Sequence, residues 1–286
     1  MASEMVRPGA LDRGQRLDRF EIRRRLGSGG SGHVYLAWDP LMGREVALKT
    51  CDTDDPPVRE RFAREARLAG GLDHPNIVRI FDFRDDETPW FLVQEFLDGE
   101  DLSQCVARRS PMPLEGKLRL LEETAAALAF AHEHGVVHRD IKPANIRVLS
   151  DGRIKILDFG IARSLDGGPS TTRPGTTIGS LGYMPPEQIE GGPVDPRSDL
   201  FAMGVVAYEL IAGHRPFDGG SIGELFLRIV HDDPEPLTSF LPSVPDALDA
   251  LVLQCLAKEP AQRPASAGDV RDRLESIRKT VDLIHS

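Results

Sequence analysis

The chain has little cysteine, and its cysteines follow no pattern. Cys51, Cys105 and Cys255 are its only thiols in 286 residues; they stand far apart, and none belongs to a CxxC or Cys/His ligand spacing. That excludes a zinc-finger type of centre and a disulfide framework, and it suits a reducing compartment. The histidines are equally scattered. His33, His74, His132, His134 and His214 form no ligand set, and His132 and His134 lie two apart on a predicted helix, on different faces. No apolar run approaches the ~20 residues that cross a bilayer, and residues 1–16 lack the apolar stretch of a secretory signal. Positive charge is in deficit: 35 Lys and Arg against 45 Asp and Glu leave a net charge of −10. This argues against nucleic acid or an anionic membrane as the main partner. What remains, with 28% charged and 40% hydrophobic residues, is a soluble globular composition, long enough for one sizeable core or for two small lobes around a cleft.

The pattern along the chain changes character once. Residues 1–16, with Pro8, Gly9 and Gly14, read as a flexible leader. Strands are predicted at Phe20–Ile22, Val34–Trp38 and Glu45–Lys49, and further ones over 77–83 and 90–96. A helix over 56–70 starts near Pro56-Pro57 and is stopped by Gly70-Gly71. After Asp98-Gly99 the signal turns helical. Leu118, Leu121, Ala125, Leu128 and Ala131 recur at helical spacing within 114–134. Residues 198–212 are apolar almost all round, the mark of a buried helix. Shorter helices are expected at 221–231, 246–257 and 266–281, and the Gly-, Ser-, Thr- and Pro-rich stretch 164–179 reads as a mobile loop. No internal repeat is present.

The chemistry is concentrated in a few short segments. Gly27-Ser28-Gly29-Gly30-Ser31-Gly32 is followed by a strand rather than a helix. This disfavours a Rossmann turn and favours a flap whose backbone N–H groups cover phosphates. Lys49 ends the run Val46-Ala47-Leu48-Lys49, and Glu65 on the following helix is its candidate partner. The decisive segment is His138-Arg139-Asp140-Ile141-Lys142-Pro143-Ala144-Asn145, with Asp158-Phe159-Gly160 beginning thirteen residues after Asn145. Asp140 can accept or orient the proton of an incoming hydroxyl. Lys142 can neutralise a migrating phosphoryl group. The amide oxygen of Asn145 and the carboxylate of Asp158 are hard donors suited to Mg²⁺. Phosphoryl transfer needs positioning and charge neutralisation more than covalent help, and these residue types supply both.

Together these motifs resemble the eukaryotic-like (Hanks-type) protein kinase domain, most closely the bacterial serine/threonine kinases. The likeness runs from about Phe20 to about Ile277 and includes His74-Pro75-Asn76-Ile77-Val78, Tyr183-Met184-Pro185-Pro186-Glu187, Asp199 with Gly204, and Gln262-Arg263-Pro264. It implies an α+β, bilobal fold over 17–281. The small N-lobe, 17–97, would be an antiparallel sheet with one key helix, and the larger C-lobe, 98–281, mainly helical. It implies ATP and Mg²⁺ as cofactors, with Mn²⁺ as a substitute. Asp140 is then the catalytic base, and Asn145 and Asp158 hold the metal. Lys49 pairs with Glu65, and Glu187 pairs with Arg263 to brace the large lobe. Asp199 ties the catalytic loop to the buried helix. The nucleotide would be met by Leu26, Gly27, Ser28, Gly29, Gly30, Ser31, Gly32, Val34, Ala47 and Lys49. Adenine would sit at a hinge of Glu95, Phe96 and Leu97, below Gln94. Lys142 marks serine and threonine acceptors. Arg139 would receive a phosphate placed on Thr171, Thr172, Thr176 or Thr177 by autophosphorylation within 164–180, and self-association for that step follows by analogy. The location implied is the cytoplasm, or the cytoplasmic part of a longer receptor.

Three positions depart from the family pattern: Pro185 in place of alanine, Ser180 in place of threonine, and Ala69 in place of a leucine. The competing reading is a pseudokinase scaffold that binds nucleotide without catalysis, and a small-molecule kinase ranks below it. The first would be expected to lose Lys49, Asp140 or Asp158, and the second to lack the glycine flap and the Glu187 segment; all are present.

Overall fold

The structure, a computed structural model, describes residues 10–29, 32–108, 112–158 and 178–285. The chain divides into two units. One comprises the residues up to Asp73 together with Val78–Asp98, and the other His74–Ile77 together with the chain from Gly99 onward. The first is strand-rich and the second mainly helical, the α+β division expected.

The first unit is a six-stranded antiparallel sheet. Its strands are β1 (Arg16–Leu17), β2 (Phe20–Gly29), β3 (Gly32–Asp39), β4 (Arg44–Cys51), β5 (Ile80–Arg84) and β6 (Trp90–Glu95), in the order β1-β2-β3-β4-β6-β5. Side chains alternate across the sheet. Val46 and Leu48 of β4 join Phe91 and Val93 of β6 in a buried cluster with Phe20, Ile22 and Tyr35. Cys51 and Leu92 point the other way and pack with Phe62 and Ala66 of helix α1 (Pro56–Gly70). This alternation places Lys49 on the same face as Cys51, toward α1. The helix buries Phe62, Ala63, Ala66 and Ala69, so the small residue at 69 is part of its packed stripe. Gly71 follows α1 at φ −84°, so the helix stops without a left-handed glycine cap.

The second unit carries a small sheet, β7 (Gly99–Asp101), β8 (Ile146–Leu149) and β9 (Ile154–Ile156), and the remaining helices. These are α2 (Leu102–Ala107), α3 (Leu114–Glu133), α4 (Ile178–Leu181), α5 (Pro186–Ile189), α6 (Pro196–Ala212), α7 (Ile222–His231), α8 (Asp246–Cys255) and α9 (Ala267–His285). All five apolar positions expected to define α3 are buried. Helix α6 is buried on every side. Its start is fixed by a capping box in which Asp195 accepts from the Arg197 N–H at 2.7 Å and its own N–H donates to Ser198 Oγ. The strand expected over 77–83 begins only at Ile80, because Ile77 is bridged to Ile156 and the Ile156 N–H donates to the Asn76 carbonyl. Elements α2, α4, α5, β1 and β7–β9 escape the sequence reading because each is too short for a periodic signal.

A buried ion pair fastens α5 to the region around α8. Arg263 Nη1 and Nη2 donate to the two Glu187 oxygens, each at 2.8 Å. The remaining three donors reach the carbonyls of Ala257, Arg197 and Lys258. All five guanidinium N–H groups are thereby used, and the arginine side chain is wholly buried. Ser198 Oγ adds a bond to Glu187 at 2.6 Å. Burial alone would raise the Glu187 carboxyl; the Arg263 and Ser198 bonds outweigh it and hold it below the usual glutamate range.

Replacing Arg263 by methionine strands the Glu187 charge and is expected to lower stability by about 3–5 kcal/mol in urea unfolding. Lysine at 263 should rescue only part of that, since it cannot reproduce the fork. A lowered folded-state value means this contribution is present above the unfolded carboxylate's titration and is lost as pH falls through the folded one. Wild-type stability should therefore drop below the ordinary glutamate range, with a shallower drop in Glu187→Gln. Equal slopes would show that Glu187 is not a source of the acid sensitivity.

Candidate active site

Each unit contributes its own set of polar groups. In the strand-rich unit, Lys49 Nζ lies 2.8 Å from Glu65 Oε1, with side chains only 16% and 14% exposed. The lysine is on β4 and the acid on α1, both facing inward for the packing reasons above. Val34 pairs across the ladder with Lys49, and Leu36 with Ala47, so Val34 and Ala47 share the Lys49 face. Ala47 also pairs with Gln94. Leu26, Val34 and Leu97 are half-buried. The Glu95 N–H donates to the Arg79 carbonyl, and the Arg79 N–H to Glu95 Oε1. The Glu95 N–H is thus already committed to Arg79 and is not offered to a purine.

The glycine segment is more strand-like than its composition suggests. β2 continues through Gly27, Ser28 and Gly29, with Gly27 opposite Val34 and Gly29 opposite Gly32; Gly30 and Ser31 lie outside the described residues. A Cβ on Gly32 would lie 2.1 Å from the Thr50 carbonyl oxygen, whereas one on Gly27 would meet nothing. Gly32 is thus required by the approach of β4, a constraint additional to any ligand. The returning strand is also stapled by its neighbour. The His33 N–H donates to Thr50 Oγ1, and His33 Nδ1 lies 2.5 Å from Asp52 Oδ2. Thr50 and Asp52 were not singled out in the sequence, where nothing distinguishes them from other polar residues after a strand.

In the helical unit the catalytic-loop candidates hang from one buried carboxylate. Asp199, near the start of α6, accepts the backbone N–H groups of His138 and Arg139 and lies by His132 Nε2, all at 2.8 Å. An ionised carboxylate only accepts, so the His132 proton is on Nε2. The bond at the Arg139 N–H helps hold that residue in a left-handed conformation, φ 67°, which costs about 1–2 kcal/mol for a residue with a Cβ. His138 is buried and uses both ring nitrogens: Nε2 donates to the Leu157 carbonyl, and Nδ1 accepts the Asp140 N–H. Phe159 and Gly160 lie outside the described residues.

This suspension brings Asp140, Lys142 and Asn145 together. Lys142 Nζ donates to Asp140 Oδ2 at 2.7 Å. Asn145 Nδ2 donates to the Asp140 carbonyl and to Oδ2, at 2.8 and 3.0 Å. The amide nitrogen faces Asp140, which turns the Asn145 oxygen the opposite way. Asp158 is far along the chain but near in space. The hairpin β8–β9 pairs Ile146 with Ile156, and the Leu157 N–H donates to the Asn145 carbonyl at 2.8 Å. Asn145 and Asp158 therefore flank the open end of one hairpin, with Asp158 itself at φ 35°. An amide oxygen and a carboxylate suit a hard divalent cation. Thr171, Thr172, Thr176 and Thr177 lie outside the described residues. No group of His, Cys, Asp and Glu side chains among the described residues forms a metal-binding cluster of three or more, and no described helix is long and apolar enough to cross a membrane.

Comparison with known proteins accords with this geometry. The family described as "Protein kinase domain" matches residues 20–273. A probable serine/threonine-protein kinase of Corynebacterium efficiens is 40% identical over 272 residues, 91% of this chain and 41% of that protein. Serine/threonine-protein kinase PknB of Mycobacterium tuberculosis is 39% identical over 268 residues, 91% of this chain and 43% of that protein. Serine/threonine-protein kinase PrkC of Bacillus subtilis is 37% identical over 275 residues, 92% of this chain and 42% of that protein. The chain spans about two fifths of the length of these curated relatives. With a match over nearly its whole length and the Asp140, Lys142 and Asn145 cluster in place, the chain belongs to the protein kinase domain family.

Proposed function

We propose that the chain transfers the γ-phosphoryl group of ATP to serine and threonine hydroxyls of proteins. The observation that carries this reading is the cluster of Asp140, Lys142 and Asn145 suspended from Asp199, with Asp158 brought beside Asn145 by the β8–β9 hairpin. The acceptor hydroxyl gives its proton to Asp140 as its oxygen bonds to the γ-phosphorus. The bond to the β,γ-bridging oxygen breaks, and ADP leaves. Lys142, already 2.7 Å from Asp140, offsets charge on the moving group. Lys49, aimed by Glu65, offsets charge on the nucleotide phosphates. Leu26, Val34, Ala47 and Leu97 meet the purine, Glu95 offers its carbonyl, and the segment 27–32 covers the phosphates. Asn145 and Asp158 would hold Mg²⁺, or Mn²⁺ in its place, which when bound would supply charge neutralisation for phosphate oxygens. The relatives' names support serine and threonine as acceptors.

Regulation follows the same chemistry. Autophosphorylation within 164–180, at Thr171, Thr172, Thr176 or Thr177, would provide a phosphate for Arg139, which lines a small cavity with Asp140, Tyr183 and Met184. Self-association would bring two copies together for that step. The site of action proposed is the cytoplasm, either free or as the cytoplasmic part of a longer membrane protein.

Wild-type chain incubated with Mg-ATP and a basic protein should incorporate phosphate. Asp140→Asn and Lys49→Met should each reduce the rate by roughly 10²–10³-fold or more, with Asp140→Asn melting as wild type does. Retained ATP binding with no transfer to substrate or to itself would instead support the scaffold reading. Mass spectrometry of the incubated protein should find phosphate on a threonine between 164 and 180; an unmodified segment in an active enzyme would refute the regulatory part.

A further inference from the structure

Arg215 lies outside every motif named so far, yet it holds one end of the segment that leads to Asp140. Its Nη1 donates to the Gly179 carbonyl at 2.9 Å, and its Nη2 lies 3.2 Å from Asp218 Oδ1. The arginine side chain is 17% exposed and that of Asp218 74%, so the guanidinium is packed while its counter-ion faces water. Packing is against backbone: a Cβ on Gly182 would lie 2.6 Å from Nη1 and 3.4 Å from Cδ and Cζ. A side chain at 182 would push the guanidinium out of the position in which it reaches the Gly179 carbonyl. Further along the same segment, Tyr183 Oη donates to Glu209 Oε2 at 2.5 Å. Burial first, then the Glu209 carboxylate, push the phenol well above its ordinary range, so it stays a donor. Beyond Tyr183, Met184 and Pro185 line a cavity together with Arg139, Asp140 and Ile141. The stretch from Gly179 to Pro185 is therefore tethered at one end by Arg215, in the middle by Glu209, and reaches the proposed catalytic base at the other end.

We infer that Arg215 is a positioning residue for the protein acceptor: it fixes the backbone from Gly179 to Pro185 as the ledge on which the peptide carrying the acceptor hydroxyl is laid beside Asp140. This rests on the proposed kinase activity. The hydrogen bonds of the arginine go to Gly179 and Asp218, so its effect is expected on the segment that faces the acceptor. A charged donor on the Gly179 carbonyl, at the start of this segment, is a strong local restraint.

The test compares wild type, Arg215→Ala, Arg215→Lys, Gly182→Ala and the double variant Arg215→Ala/Gly182→Ala, all as the full chain, with a serine- or threonine-containing peptide and Mg-ATP. Arg215→Ala should lower kcat/KM for the peptide by about tenfold, the order expected for loss of a charge-assisted hydrogen bond, while KM for ATP and the melting temperature stay as in wild type. Arg215→Lys, which keeps the charge but not the fork, should recover part of the loss. Gly182→Ala should reproduce the defect by displacing the guanidinium, and the double variant should be no worse than either single one. An Arg215→Ala enzyme with wild-type peptide kinetics overturns the assignment. A fall in peptide kcat/KM accompanied by a raised KM for ATP and a lowered melting temperature also overturns it, in favour of a purely structural role. If wild type itself transfers no phosphate, the kinase reading fails, and this inference with it; an active wild type with an indifferent Arg215→Ala removes this inference alone.

Discussion

A single buried carboxylate organises the chemistry of this chain. Asp199 is set near the start of α6, a helix buried on every side, and from there it takes two consecutive backbone N–H groups of the loop that carries Asp140 and a histidine side chain. Two amides accepted by one carboxylate fix both the position and the plane of the loop between His138 and Arg139. Everything that follows inherits that frame: the left-handed turn at Arg139, the His138 ring bonded on both sides, and the direction in which Asp140 leaves the loop. The energetic logic is that of a buried ion surrounded by donors, where each N–H offsets desolvation and no partner can be withdrawn cheaply.

The second organising device is the conversion of chain distance into proximity. Lys49 and Glu65 are sixteen residues apart, and they meet because β alternation and α1 packing turn both inward. Arg263 and Glu187 are 76 residues apart, and they meet because every donor of the guanidinium finds an acceptor in one small region. In the first case the pair is set by packing of the strand against the helix, in the second by the backbone carbonyls and the Ser198 hydroxyl around it.

Much of this was legible in the sequence where the elements are long. The helix at 56–70 was marked by Pro56-Pro57 and Gly70-Gly71, that at 114–134 by its periodic apolar positions, all of which are buried, and the segment before Ala212 by being apolar almost all round. Where the elements are short, nothing local distinguished them. The three strands of the small sheet are three or four residues each, too few for alternation to register. Asn145 and Asp158 could be paired by their donor chemistry and by resemblance, but the hairpin that joins them left no trace of its own. The association of His74–Ile77 with the helical unit was invisible for a different reason. It depends on the Asn76 side chain reaching Glu123 and the Ile154 carbonyl, which are long-range bonds. Arg215 and Thr50 were missed because their importance lies in what stands opposite them, a glycine that leaves room or a carbonyl that closes it.

The hairpin between Asn145 and Asp158 also changes what spacing means in such a chain. Both residues sit at its open end, while the turn at 150–153 lies at the closed end. Lengthening both strands equally would move the turn outward and leave the two donors where they are. The invariant that matters is thus the pairing register, Ile146 with Ile156, and not the count of thirteen residues. A ruler laid along the sequence measures the wrong quantity at this point; the ladder of the sheet measures the right one.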